Sequence, residues 1–184
     1  MSDKRSALLG VVGPLVAYVF ISASIMFSPW FSWQSNALSD LGHSVNSGVA
    51  PLFNFGLFLT GFLIIIYSIK PLKNYAKYTS CCLLIAAFML QLVAVFDEVY
   101  GLLHFAVSVL FFASLGVSSI VYAIEKKSIL AAVAFIIGLG SWMLLWTGVY
   151  GGGVAIPETI SSIAVTSWII FAALRILLDF SNPN

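Results

Sequence analysis

Six apolar stretches, each about as long as a membrane is thick, take up most of this chain of 184 residues. A hydrocarbon core of about 30 Å needs roughly 20 apolar residues in a helix. The runs fall at about 7–27, 49–69, 78–96, 99–123, 129–150 and 157–178. Charged residues make up only 8% of the chain, against about 25% in a typical soluble domain. Such a surface cannot be wetted, so it must face lipid. The first run follows Lys4 and Arg5, as a secretory signal would. It continues to Phe27 and ends in aromatic residues rather than a small-residue cleavage site, which makes it a membrane helix. Pro51 and Pro157 lie at helix starts, where no helical hydrogen bond is lost. The expectation is one all-α transmembrane domain, 1–184, built as a six-helix bundle.

The basic residues orient that bundle. Lys4, Arg5, Lys70, Lys73, Lys77, Lys126, Lys127 and Arg175 all fall on one side of a six-helix arrangement, and none falls on the other. Positive residues stay cytoplasmic, so both termini are expected inside, in a multi-pass protein of the cell membrane. Trp30, Trp33, Trp142, Trp146, Tyr100 and Tyr150 then mark the outer boundary, and Trp168 sits deeper, in packing. The net charge of +1 gives no reason to expect nucleic acid. Cys81 and Cys82 are neighbours, a poor spacing for a disulfide or a metal finger. Small residues at Gly10, Gly13, Gly56 and Gly61 permit close helix approach.

The outer side has its own chemistry. It collects Asp40, His43, Asp97, Glu98, His104 and Glu158 with no Lys or Arg to neutralise them. Ionisable groups at a low-dielectric boundary are expensive and are functional by default. Asp97, Gly101, His104 and Ser108 follow a helical spacing and would share one face of the fourth helix. Gln91 would lie on the same side as Glu98 if the third helix ran on unbroken. Asp40 and His43 would share a face of a short helix in the long first outer loop, capped by Asn36 and placed at the interface or in the bundle mouth. Glu158 opens the sixth helix, where the dipole favours a carboxylate. Asn54 lies about one turn into the second helix and can reach the mouth. The Gly148–Gly153 turn lacks the Walker arrangement and reads as a flexible connection.

Three readings compete. In the first, these groups are solvated or satisfy packing, and the protein is a structural membrane partner. In the second, the protein is a membrane hydrolase or lipid-modifying enzyme. His43, His104 and Asp40 would hold a divalent metal such as zinc, and Glu98 or Glu158 would act as base beside Asp97 and His104. In the third, an acidic outer vestibule binds a cation or an amine-bearing ligand, or serves a small transporter. Scattered hydroxyls in the inner halves favour an outward-facing pocket over a channel. Lipid or small-ligand binding or modification is the preferred expectation, with membrane lipids as partners. The sequence is silent on oligomeric state.

The run Asn36-Ala-Leu-Ser-Asp-Leu-Gly42 followed by Pro51-Leu-Phe-Asn54-Phe-Gly-Leu57 resembles the domain-of-unknown-function family 998, prokaryotic six-helix membrane proteins. That family is distantly similar to the Frag1/DRAM/Sfk1 proteins, some of which act in lipid-anchor remodelling. The resemblance implies the six-helix topology and singles out Ser39, Asp40 and Asn54 as motif positions; together with Gln91 they are the expected binding residues. A looser similarity is to seven-helix hydrolases of the ceramidase type. Those hold zinc through three histidines and an aspartate, whereas this chain has two histidines and one helix fewer.

Overall fold

A computed structural model describes residues 3–149 and 151–179. Tyr150 and the polar tail from residue 180 lie outside the described residues, as do the side chains of Lys4 and Asp179. Six long helices carry the fold: α1 (Leu9–Met26), α2 (Ala50–Tyr67), α3 (Lys77–Val95), α4 (Leu102–Glu125), α5 (Ile129–Trp146) and α6 (Ala155–Asp179). Six helices are long and apolar enough to cross a membrane, and no strand occurs among the described residues. This is a multi-pass membrane protein. Each helix packs on the next in sequence, and α6 closes back onto α1. The outcome is an up-and-down ring in which α4 and α6, separated by α5, touch only lightly.

Small residues set how closely the ring closes. A Cβ on Gly10 would stand 2.7 Å from the Tyr67 ring and 2.8 Å from Ala173, and one on Gly61 would stand 2.7 Å from the Ala87 carbonyl. These contacts bring α1 onto α2 and α6, and α2 onto α3, by backbone approach. Towards the end bearing the lysines, Trp168 is fully buried and stacks on Tyr122 with ring centroids 4.6 Å apart. Its indole N–H donates to Ser119 Oγ at 3.0 Å, so the deep tryptophan is a packing residue with its polar atom satisfied. Glu125 accepts from the Thr79 N–H and hydroxyl and from the Tyr78 N–H, which ties the end of α4 to the start of α3.

Several helix ends differ from the sequence expectation, the fifth helix stopping at Trp146 among them. The second span continues past Tyr67 through a π-helical turn, Ser68–Leu72, and a short helix, Lys73–Tyr75. Pro71 lies in that turn and has no N–H to give, so the chain widens there and bonds one residue further back. The fourth helix begins at Leu102, after a 3₁₀ turn, Glu98–Tyr100. Gly101 separates the two at φ 52°, a left-handed conformation that favours glycine. Asp97 and Gly101 therefore precede α4, and only His104 and Ser108 share its face. The third helix likewise ends at Val95, which breaks the expected continuity between Gln91 and Glu98.

The charge rule makes the lysine-bearing end cytoplasmic and the end carrying Glu98 and Glu158 outer. In a Cys81→Ser/Cys82→Ser background, a cysteine replacing exposed Val45 should react with an impermeant maleimide on intact cells. One replacing Lys127 should react only after permeabilisation. The reverse pattern would invert the orientation.

Candidate functional site

The first outer loop forms the site by folding down into the ring. Its short 3₁₀ helix, Leu38–Gly42, buries Leu38 and Leu41 among Phe53, Leu57, Val93 and Val107. Polar contacts hold it from several sides. Leu38 N–H donates to Glu158 Oε2 at 2.7 Å, and Ser39 Oγ donates to Glu98 Oε1 at 2.7 Å. Asn54 Nδ2 donates to the Gly42 carbonyl at 2.8 Å. Gly153 N–H donates to the Trp33 carbonyl and Ala155 N–H to the Asn36 carbonyl, at 3.1 and 2.9 Å. The glycine turn before α6 is thus docked on the loop rather than free. Gly42 must be small: a Cβ there would stand 2.5 Å from Asn54 Oδ1.

Two cavities meet beneath this wedge. The smaller, about 120 Å³, lies at the ring's centre, walled by α1, α2, α3, α4 and α6, with Tyr18 and Thr60 among its polar residues. The larger, about 900 Å³, is a groove between α4, α5 and α6. Ser39, Ser108 and Glu158 line both. Ser39, His43, Glu98, His104, Glu158 and Ser161 gather at the outer end of the groove, and Phe105, Val109, Phe112 and Leu139 continue its wall inward. Phe105, Val109, Leu139 and Trp146 are among the exposed large side chains, so the groove opens sideways onto lipid.

The candidate residues divide accordingly. Glu98, His104 and Glu158 are brought to one cavity, with Ser39 beside them. Glu158 is only 8% exposed, and it holds the first loop instead of capping its own helix. Burial and the neighbouring Asp40 carboxylate push the Glu98 carboxyl above the ordinary glutamate range, while the Ser39 hydroxyl and His43 pull it down. His104 Nδ1 lies 2.7 Å from the Phe96 carbonyl, which can only accept, so Nδ1 carries the proton. Its Nε2 then accepts from Ser108 Oγ, 3.3 Å away.

Other expected residues serve the scaffold. Asp97 caps the 3₁₀ turn by accepting Val99 N–H at 2.9 Å. Asp40 accepts from Asn36 Nδ2 and Ala37 N–H, closing its own loop, and also shares a hydrogen bond with the Glu98 carboxyl. Asn36 therefore braces the loop from outside the short helix. Gln91 donates to the Phe58 carbonyl at 3.3 Å and braces α2 against α3. His43 Nδ1 faces the N–H groups of Val45 and Asn46 within its own turn. Among the described residues no three His, Cys, Asp or Glu side chains gather as a metal site. The expected trio of His43, His104 and Asp40 is not assembled, because Asp40 and His43 are turned onto their own loop while His104 is anchored on Phe96.

Ser108, Trp142 and Trp146 join the groove without having been singled out for it. The i, i+4 spacing of His104 with Ser108 was the available signal for the first. The tryptophans read equally well as interface markers. The Ser108–His104–Phe96 chain resembles an activated hydroxyl. The carboxylates of Glu98 and Glu158 line the same cavity, however, and oppose any oxyanion formed there.

A sequence profile described as "Protein of unknown function (DUF998)" matches residues 11–175. The chain belongs to this family. No curated protein and no solved structure matches it. The matched segment runs from α1 into α6 and so includes the wedge, both carboxylates and the groove.

Removing the Asn54 side chain leaves the Gly42 carbonyl without its donor, at a cost of about 1–3 kcal/mol. Asn54→Ala should lower the detergent-solubilised melting temperature, and Gly42→Ala should lower it by displacing the same contact. A carboxyl whose folded pKa is raised stabilises the fold in its protonated form. Glu98's contribution is thus complete below the ordinary glutamate value of about 4.3 and is lost as pH rises through its raised value. Stability should decline across that window, and Glu98→Gln should flatten the decline; an unchanged slope contradicts this reading.

Proposed function

We propose that this protein binds an amphiphile in the groove between α4, α5 and α6, taken up sideways from the outer leaflet of the cell membrane. A single cavity of about 900 Å³ joining an apolar wall exposed to lipid with the buried Glu158 carboxyl supports this reading. From His104 to Ile120 the groove follows α4 over sixteen residue steps. At about 1.5 Å per residue that is roughly 24 Å, most of a hydrocarbon core. A tail lying along Phe105, Phe112, Val117 and Leu139 replaces membrane lipid at little cost, and the polar end reaches Glu98 and His104 without leaving the bundle. A soluble ligand would gain nothing from so long an apolar wall. Binding rather than hydrolysis fits the two carboxylates, which disfavour an oxyanion, and fits the histidines, which are turned to internal partners. A path across the membrane is not supported, because the groove's inner half is apolar.

Trp142 and Trp146 line the groove and report on its occupant. Acyl chains brominated near mid-chain should quench their fluorescence saturably at low mole fraction in nonionic detergent. Ala113→Phe, which fills the groove wall, should reduce that quenching severalfold. Unsaturable quenching, equal in wild type and Ala113→Phe, would mean bulk contact with lipid and no binding groove.

A further inference from the structure

We propose that the polar end of the bound amphiphile is a protonated amine, held between the Glu98 and Glu158 carboxylates and the faces of Trp142 and Trp146. This rests on the amphiphile reading and names the chemistry of its headgroup. The hydrogen-bond inventory of the groove's outer end points to it. Each hydroxyl or imidazole there already has a partner: Ser39 Oγ with Glu98, Ser108 Oγ with His104 Nε2, His104 Nδ1 with the Phe96 carbonyl, His43 with Val45 and Asn46, and Ser161 Oγ with the Pro157 carbonyl. What remains is carboxyl acceptor capacity, beside the indole N–H groups of Trp142 and Trp146. Glu98 has Oε1 bonded to Ser39 and shares a further hydrogen bond with the Asp40 carboxyl, whereas Glu158 has Oε2 bonded to Leu38 and Oε1 without a described partner.

Charge gives the same answer. The eight Lys and Arg residues lie at the opposite end of the chain's topology, so no Lys or Arg offers a cation to these carboxylates, and the positive influence on Glu98 comes from His43. Glu158 is more than nine-tenths buried, where an ionised carboxyl strongly favours a charged partner over none. A phosphate or carboxylate headgroup would meet like charge. A neutral hydroxyl could satisfy one lone pair but would leave the charge unanswered.

The aromatic wall supplies the second element. Trp142 and Trp146 stand one helical turn apart at the outer end of α5, with ring centroids 5.8 Å apart and planes at 41°. Both line the cavity that Glu98, His104 and Glu158 line. Indole faces attract ammonium groups, the more so when water is excluded. Carboxylates and indoles lining one cavity are a setting for an ammonium on a hydrocarbon chain.

Competition with matched probes tests this. Wild-type protein in nonionic detergent, loaded with a brominated long-chain alcohol, is titrated at equal micellar mole fraction with unlabelled long-chain amine, alcohol or carboxylate of one chain length. Tetramethylammonium is titrated in parallel. The amine should restore tryptophan fluorescence at about tenfold lower mole fraction than the alcohol, with the carboxylate weakest. Glu98→Gln should narrow the gap between amine and alcohol, and its elution profile and melting temperature report whether it folds. Equal potency of amine and alcohol, or a preference for the carboxylate, overturns the headgroup inference and leaves the groove standing. Absence of saturable quenching by any chain overturns the amphiphile reading along with it. Displacement by tetramethylammonium as strong as by the long-chain amine keeps the ammonium site and overturns its assignment to a lipid.

Discussion

The bond from Leu38 N–H to Glu158 joins residues 120 positions apart and fixes the outer end of this protein. A backbone donor carried into the mouth of a membrane bundle must find an acceptor there, because lipid offers none. A carboxyl at the start of α6 must likewise find a donor. Each satisfies the other, and together they hold a loop of about twenty residues inside the ring. The remaining loop contacts, Asn54 with Gly42 and Gly153 with Trp33, align the wedge that this bond seats. Without the wedge the central void and the lateral groove would merge into one open mouth.

The groove itself follows from where the small residues lie. Gly10, Gly13, Gly56 and Gly61 sit on α1 and α2 and draw those helices tightly onto their neighbours. At the α4–α5–α6 corner the side chains facing inward are larger, and a Cβ on the groove-lining Gly116 would meet only the Phe135 ring, at an ordinary 3.5 Å. Helix association in a membrane depends on close packing, as lipid competes equally for apolar surface. A corner lined by Phe112, Phe135, Trp142 and Leu145 keeps a space that hydrocarbon can fill. The same architecture thus gives a rigid half that anchors the wedge and a looser half that accepts a chain.

Much of this was legible from residues alone, and the failures have physical causes. The spans follow from bilayer thickness, and the grouping of Glu98, His104 and Glu158 at one end follows from helix direction. The shared face of Asp97, Gly101 and His104 failed because Gly101 takes a left-handed turn that a helical projection does not foresee. Asp40 looked like a ligand by charge, yet its loop closes on itself through Asn36 and Ala37. Family resemblance marked Ser39, Asp40 and Asn54 without giving roles; the contacts give them, Ser39 and Asp40 reaching Glu98 and Asp40 and Asn54 shaping the wedge. No pattern in the sequence links Glu158 to Leu38, since that pairing exists only once six helices have closed a ring.

Native mass spectrometry of the protein released gently from membranes tests most directly whether the groove is a binding site. The account predicts one amphiphile retained per chain at activation energies that strip bulk lipid and detergent, and its loss in Ala113→Phe. A bare chain under those conditions, or an adduct equally retained by Ala113→Phe, would contradict it.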